Sequence, residues 1–210
     1  MKKVPVIIGI VAAAVLIGIV AVLLSMSNYG PSYEEVRHLT TPRIIEKPDS
    51  KMLFVEATGD PNETVGPAFG LLFKTYFKIK DRSKGKNMEA PRARWPKPLE
   101  TPRDQWIGIY AIPVPASLQS IPEVSSKSGL KAQLREWHYG TVAEILHVGP
   151  YSSEDTTVTR LRKYITENGY EIAGDHEEEY LKGPGLLPTN PAKYLTVIRY
   201  SVRKVTEPAQ

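Results

Sequence analysis

Laid against itself at a shift of 90 residues, the chain repeats: Gly59 falls on Gly149, Leu71 on Leu161, Pro98 on Pro188 and Tyr110 on Tyr200. The order of elements repeats as well, which is harder to obtain by chance than a few matched positions. In the first copy "KMLFVEATG" reads as a strand, and "NETVGPAFGLLFKTYFKI" as a helix with Phe69, Leu72, Phe73, Tyr76 and Phe77 at helical spacing. Two later strands complete the unit, one of them the β-branched and aromatic run "WIGIYAIPV". In the second copy "TVAEILHVG" is the strand, and Val158, Leu161 and Ile165 form the buried helical stripe. Ser152 or Ser153 is placed to cap that helix, Glu154 and Asp155 sit near its positive end, and Gly169 stops it. "YEIAGDHEEEYLKGP" and "TVIRYSVRKV" supply the later strands. Both copies therefore spell strand, helix, strand, strand, an α+β unit used twice.

Ahead of the repeat, Met1-Lys2-Lys3 precedes 21 residues, Val4 to Leu24, made only of Val, Ile, Leu, Ala, Gly and one Pro. At ~1.5 Å per residue this stretch matches the ~30 Å hydrocarbon core of a bilayer, whereas the apolar part of a cleaved signal is only ~7–15 residues. The following "SMSNYG" has no Ala-x-Ala pattern, so the segment reads as one uncleaved transmembrane helix. Lys2 and Lys3 on one flank, against Arg37 with Glu34 and Glu35 on the other, place the N-terminus in the cytoplasm and the rest of this single-pass chain outside it. The organisation expected is an anchor at 1–25, a tether at 26–50, a domain at 51–205 with repeats at about 51–115 and 130–205, and a tail at 206–210.

With 24% charged and 41% hydrophobic residues the remainder is an ordinary domain able to bury a core. The absence of cysteine excludes disulfides and thiolate metal sites, and a net charge of +4 does not point to nucleic acid. The histidines at 38, 138, 147 and 176 show no H-x-x-x-H or H-E-x-x-H spacing, and there is no Walker loop, G-x-G-x-x-G or G-x-S-x-G, so neither a metal nor a cofactor is assigned. His147, at a strand end, reads as a structural, hydrogen-bonded residue.

"HVGPY", the helix after it, "NGYEIAG", "EEYL" before a Gly-Pro turn and the closing "YLTVIRYSV" occur in an order that resembles the GyrI-like small-molecule-binding domains, also found as effector domains of multidrug-responsive regulators. The first copy resembles them through "VEATGDPNETVGPAFGLLF" and "WIGIYAIPVP". The resemblance spans about residues 50–205. It implies two modules related by a pseudo-twofold in an antiparallel sheet, with a ligand cleft between them; the SOUL proteins are similar in architecture. An anchor stands where the regulators carry a DNA-binding domain, which speaks against transcriptional control.

Strand alternation sends Glu178 and Tyr180 to one face, and Glu177, Glu179 and Leu181 to the other. Residue types alone describe a solvated acidic edge; the family pattern E-x-Y-L implies that Glu178 is the acidic residue at the bottom of the cleft. There a carboxylate among aromatic rings would hold a cation, each cation–π contact adding ~0.5–2 kcal/mol. Tyr180, Tyr110, Tyr200, Trp137 and Tyr139 are candidate lining residues, with core packing as the alternative for each. Residues 78–97 contain eight Lys or Arg against two acidic residues, and their counterparts 168–187 contain five acidic residues against one lysine. The basic run reads either as a solvated loop or as a contact for lipid headgroups or an acidic partner. Three functions are compatible with these features: a membrane-tethered module binding an amphipathic or cationic small molecule, a hydrolase of strained cyclopropane-type toxins with Glu178 as base, and an accessory subunit with a membrane-protein partner.

Overall fold

The computed structural model describes residues 30–98, 101–184 and 189–206. The expected transmembrane segment Val4–Leu24 lies outside these residues, and among them no helix is long and apolar enough to cross a membrane. In chain order the elements are α1 (Tyr33–Val36), β1 (Arg43–Lys47), β2 (Ser50–Thr58), α2 (Pro61–Tyr76), β3 (Arg92–Trp95), β4 (Ile107–Pro113), β5 (Ala132–Trp137), β6 (Gly140–Val148), α3 (Asp155–Glu167), β7 (Tyr170–Lys182) and β8 (Leu195–Lys204). The strands form one antiparallel sheet in the order β1-β6-β8-β7-β3-β4-β2-β5. Exchanging β1 with β5, β2 with β6, β3 with β7 and β4 with β8 reverses that order onto itself. The pseudo-twofold thus passes between β3 and β7, where the copies join.

The repeated unit is one strand longer than the sequence indicates. β1, inside the stretch read as a tether, pairs with β6 of the second copy; β5 pairs with β2 of the first. Each copy therefore completes the other's sheet edge. The two crossing segments touch: Asp49 accepts the Tyr139 N–H at 3.0 Å and lies 2.6 Å from His138 Nδ1. Neither half can satisfy its edge backbone groups alone, so residues 50–125 or 126–205 expressed separately should be insoluble or molten by circular dichroism and urea titration. Two independently cooperative halves would contradict the shared sheet.

Local sequence explains the matched turns. Gly59 and Gly149 end β2 and β6 with φ of 128° and 135°, a region that glycine enters without steric cost. After Gly59, the Asp60 carboxylate accepts the Asn62 N–H at 2.9 Å and Pro61 opens α2. At α3 the N-cap position falls on Glu154 rather than on either serine, because Tyr151–Ser153 is taken up in a 3-10 turn. His147 is held by Thr157 Oγ1 at 2.9 Å and the Pro150 carbonyl at 3.2 Å, tying β6 to the start of α3.

Both faces of the sheet are covered. On one, α2 buries Ala68, Leu71, Leu72 and Tyr76 against Leu53, Val55 and Ile112, and α3 buries Leu161 and Ile165 against Ile145 and Ile198. On the other, Met52, Phe54 and Ala111 of the first copy meet Val142 of the second, with Trp137 and Tyr139 between them. Strands far apart in the sheet order meet there, so the sheet curls round that face.

Candidate functional site

A cleft of about 1290 Å³ opens between α2 and α3, above the joint of β3 and β7. Its walls differ in chemistry. Val65, Phe69 and Phe73 of α2, with Trp95 and Trp106, make an apolar aromatic wall; Glu154, Asp155, Val158 and Arg162 line the α3 side. Phe69 stacks on Phe73 with centroids 5.9 Å apart and meets Tyr180 edge-on at 6.0 Å, and Tyr180 meets Tyr151 at 5.6 Å. Helical spacing puts Phe69 and Phe73 one turn apart on the flank of α2 that the core leaves open.

The floor comes from β7, whose alternation turns His176, Glu178 and Tyr180 into the cleft. Glu178 accepts the Trp95 indole N–H at 2.9 Å and lies 3.2 Å from His176 Nε2. Among the described residues the only basic group within ion-pairing distance of it is His176, which pairs with it when protonated. His176 Nδ1 lies 2.8 Å from the Tyr200 hydroxyl, which also accepts from Arg162 at 3.4 Å. Glu154 is only 9% exposed and its Oε1 has no hydrogen-bond partner among the described residues. Burial, then the charges of Glu178 and Asp155, push its carboxyl up to about 8. One ligand atom each from Glu154, His176 and Glu178 lies within 4.8 Å of the other two.

The neighbouring carboxylates have a different fate. Glu177 and Glu179 do face the other side of β7, but they are not a solvated edge. Register places Arg43, Glu144, Arg199, Glu177 and Arg94 opposite one another on β1, β6, β8, β7 and β3, a row of alternating charge across five strands. Arg199, 3% exposed, donates to Glu144 at 2.7 Å, to Glu179 at 2.9 Å and to Glu177. Arg94 donates to Glu177 at 2.7 Å, and Arg92 donates to the Tyr139 hydroxyl at 2.7 Å and to Glu179 at 3.3 Å. Arg92 and Arg94 of the basic run thus meet an acidic partner inside the chain itself.

Of the residues expected to bind ligand, Glu178, Tyr180 and Tyr200 line the cleft. Trp137 does not: it lies on the opposite face, with the Arg94 guanidinium 3.7 Å above its ring. Tyr110 lies fully buried beneath the aromatic wall, 5.0 Å from Phe69 and 5.8 Å from Trp95 between ring centroids. It fits there because Gly108 presents no side chain: a Cβ at that position would sit 2.5 Å from the Tyr110 ring. Trp95, Glu154, His176 and Arg162 were missed. The H-x-E spacing of His176 and Glu178, which puts both side chains on one face of a strand, is the signal the sequence carries for this pair.

The sequence matches the profile of the GyrI-like small molecule binding domain over residues 40–202. The chain therefore belongs to the GyrI-like family of small-molecule-binding domains. Solved structures share the fold. An uncharacterized conserved protein from Listeria innocua superposes with a TM-score of 0.66 at 21% identity, covering 81% of this chain and 98% of its own. A hydrolase from Listeria innocua gives 0.58 at 19% identity over the same shares, and the EcmrR C-terminal domain gives 0.55 at 15% over 79% and 98%. No curated protein matches the sequence significantly.

Proposed function

We propose that the chain is a membrane-tethered module that captures an amphipathic organic cation in the cleft between its two copies. The observation behind this reading is the unequal fate of three successive carboxylates. Glu177 and Glu179 are neutralised by arginines on the far face, whereas Glu178 enters an aromatic cleft with no Lys or Arg ion-paired to it among the described residues. A flat apolar body fits against Phe69, Phe73, Trp95 and Trp106, and a positive group fits over Glu178, where low polarity strengthens the charge pairing. Fluorescence titration should give at least about tenfold tighter binding for a cationic aromatic dye than for its uncharged isostere, a difference of ~1.4 kcal/mol. Equal affinities would overturn charge recognition.

One observation favours hydrolysis as a second reading: Glu154, whose carboxyl is pushed up to about 8, lies beside Glu178, so that the pair could supply an acid and a base in one cleft. A relative of the same fold is described as a hydrolase. Under this reading a strained cyclopropane-type substrate is consumed during incubation, whereas a binding module returns its ligand intact on chromatography.

The membrane anchor in this reading is Val4–Leu24, with Lys2 and Lys3 keeping the N-terminus in the cytoplasm. A reporter fused after Gln210 should be active only outside the cytoplasm; cytoplasmic activity would reverse the orientation.

A further inference from the structure

We infer that Glu154, His176 and Glu178 form a binding site for a divalent first-row transition ion, best suited to Zn2+, on the α3 side of the cleft. This goes beyond capture of an organic cation and does not depend on it. The three side chains come from separate places in the fold, Glu154 from the turn into α3 and the other two from alternate positions of β7, yet one donor atom of each lies within 4.8 Å of the others. For an ion between them to make the ~2.0–2.2 Å bonds of zinc, the carboxylates would have to rotate inward from that spread.

Three features point to a metal rather than to an acidic patch. Glu154 is nine-tenths buried on the cleft wall, and its Oε1 accepts no hydrogen bond from a described residue, although a buried acceptor ordinarily has a partner. His176 is oriented from behind: its Nδ1 lies 2.8 Å from the Tyr200 hydroxyl, and with the ring proton held on that nitrogen Nε2 would offer its lone pair to an ion seated between the two carboxylates. That is the outer-shell arrangement that fixes the tautomer of a metal-binding histidine. Glu178 is fixed in turn by the Trp95 N–H at 2.9 Å. One imidazole nitrogen and two carboxylate oxygens suit zinc, while an imidazole disfavours calcium and magnesium. Three protein ligands would leave a coordination position open, and since all three side chains line the cleft, a donor atom of a bound molecule could complete the coordination.

The test is a titration of Zn2+ into the EDTA-treated, desalted chain, read by competition with a chromophoric chelator, with Co2+ absorption as a second readout. The expected result is one Zn2+ per chain at a Kd of about 1 μM or tighter. His176→Ala and Glu154→Gln should each weaken binding by about tenfold or more, and Tyr200→Phe, acting through His176, by about tenfold. Circular dichroism reports whether each variant folds; should His176→Ala fail, Glu154→Gln decides alone, since its Oε1 holds no hydrogen bond that the fold would lose. Parent protein that leaves Zn2+ with the chelator up to about 100 μM overturns the site. So does stoichiometric binding that both variants retain undiminished. Cationic-dye binding by the parent, measured in EDTA, is scored separately: dye capture without zinc binding overturns this site alone, and zinc binding without dye capture overturns the organic-cation reading alone.

Discussion

Arg199→Met should destabilise the domain by ~3–5 kcal/mol, because it removes the one cation among the described residues that touches all three carboxylates of the far face and leaves Glu144, Glu177 and Glu179 short of charge. Methionine retains most of the packing, so the loss reports the charge rather than a cavity. Urea denaturation of a 30–206 fragment measures it, and a change below ~1 kcal/mol would show the row to be replaceable. Burial raises the Glu144 and Glu179 carboxyls, but Arg199, with Arg43 at Glu144 and Arg92 at Glu179, outweighs it, and both end below the usual carboxylate range. A folded-state pKa below the unfolded value contributes stability that is complete above the unfolded value of ~4.3 and is lost as pH falls through the folded one. In the variant, burial without Arg199 acts with the opposite sign. The stability gap between parent and variant should therefore be widest above about pH 5 and narrow towards about pH 3.

The second large effect is on binding. Glu178→Gln keeps the shape of the floor and an oxygen for the Trp95 N–H, and removes only the charge. Cationic aromatic dyes should lose ~1.5–3 kcal/mol of affinity, roughly tenfold to a hundredfold, while uncharged isosteres change little. Equal losses for charged and neutral dyes would mean that Glu178 shapes the cleft without reading charge. Glu177→Gln and Glu179→Gln, which alternation alone would offer as silent controls, are controls for binding only under conditions where each folds, since both belong to the buried row.

Much of the fold was legible because its signals are local. The glycines at 59 and 149, the helical stripes and the apolar strands each need only their own neighbourhood, and the shift of 90 residues aligned them. β1 and β5 were not legible, since they are short edge strands with mixed burial whose partners, Glu144 for Arg43 and Ser50 for Trp137, lie far along the chain. Alternation gave the face of every residue from Glu177 to Tyr180 correctly but could not say what covers that face. A carboxylate against solvent and a carboxylate under Arg199 look alike in sequence. The repeat also misled where its copies diverge: Tyr110 and Tyr200 are equivalent in the alignment, yet Tyr110 is sealed beneath the aromatic wall of the first copy while Tyr200 borders the polar side of the cleft.

The location of a bound cation tests the account most directly. A 30–206 fragment crystallised with a brominated aromatic cation, its bromine located by anomalous scattering, should place the ring between Phe69 and Trp95 and the positive group within ~4 Å of the Glu178 carboxylate. A cation seated elsewhere, or an empty cleft at concentrations that saturate the protein in solution, would contradict it.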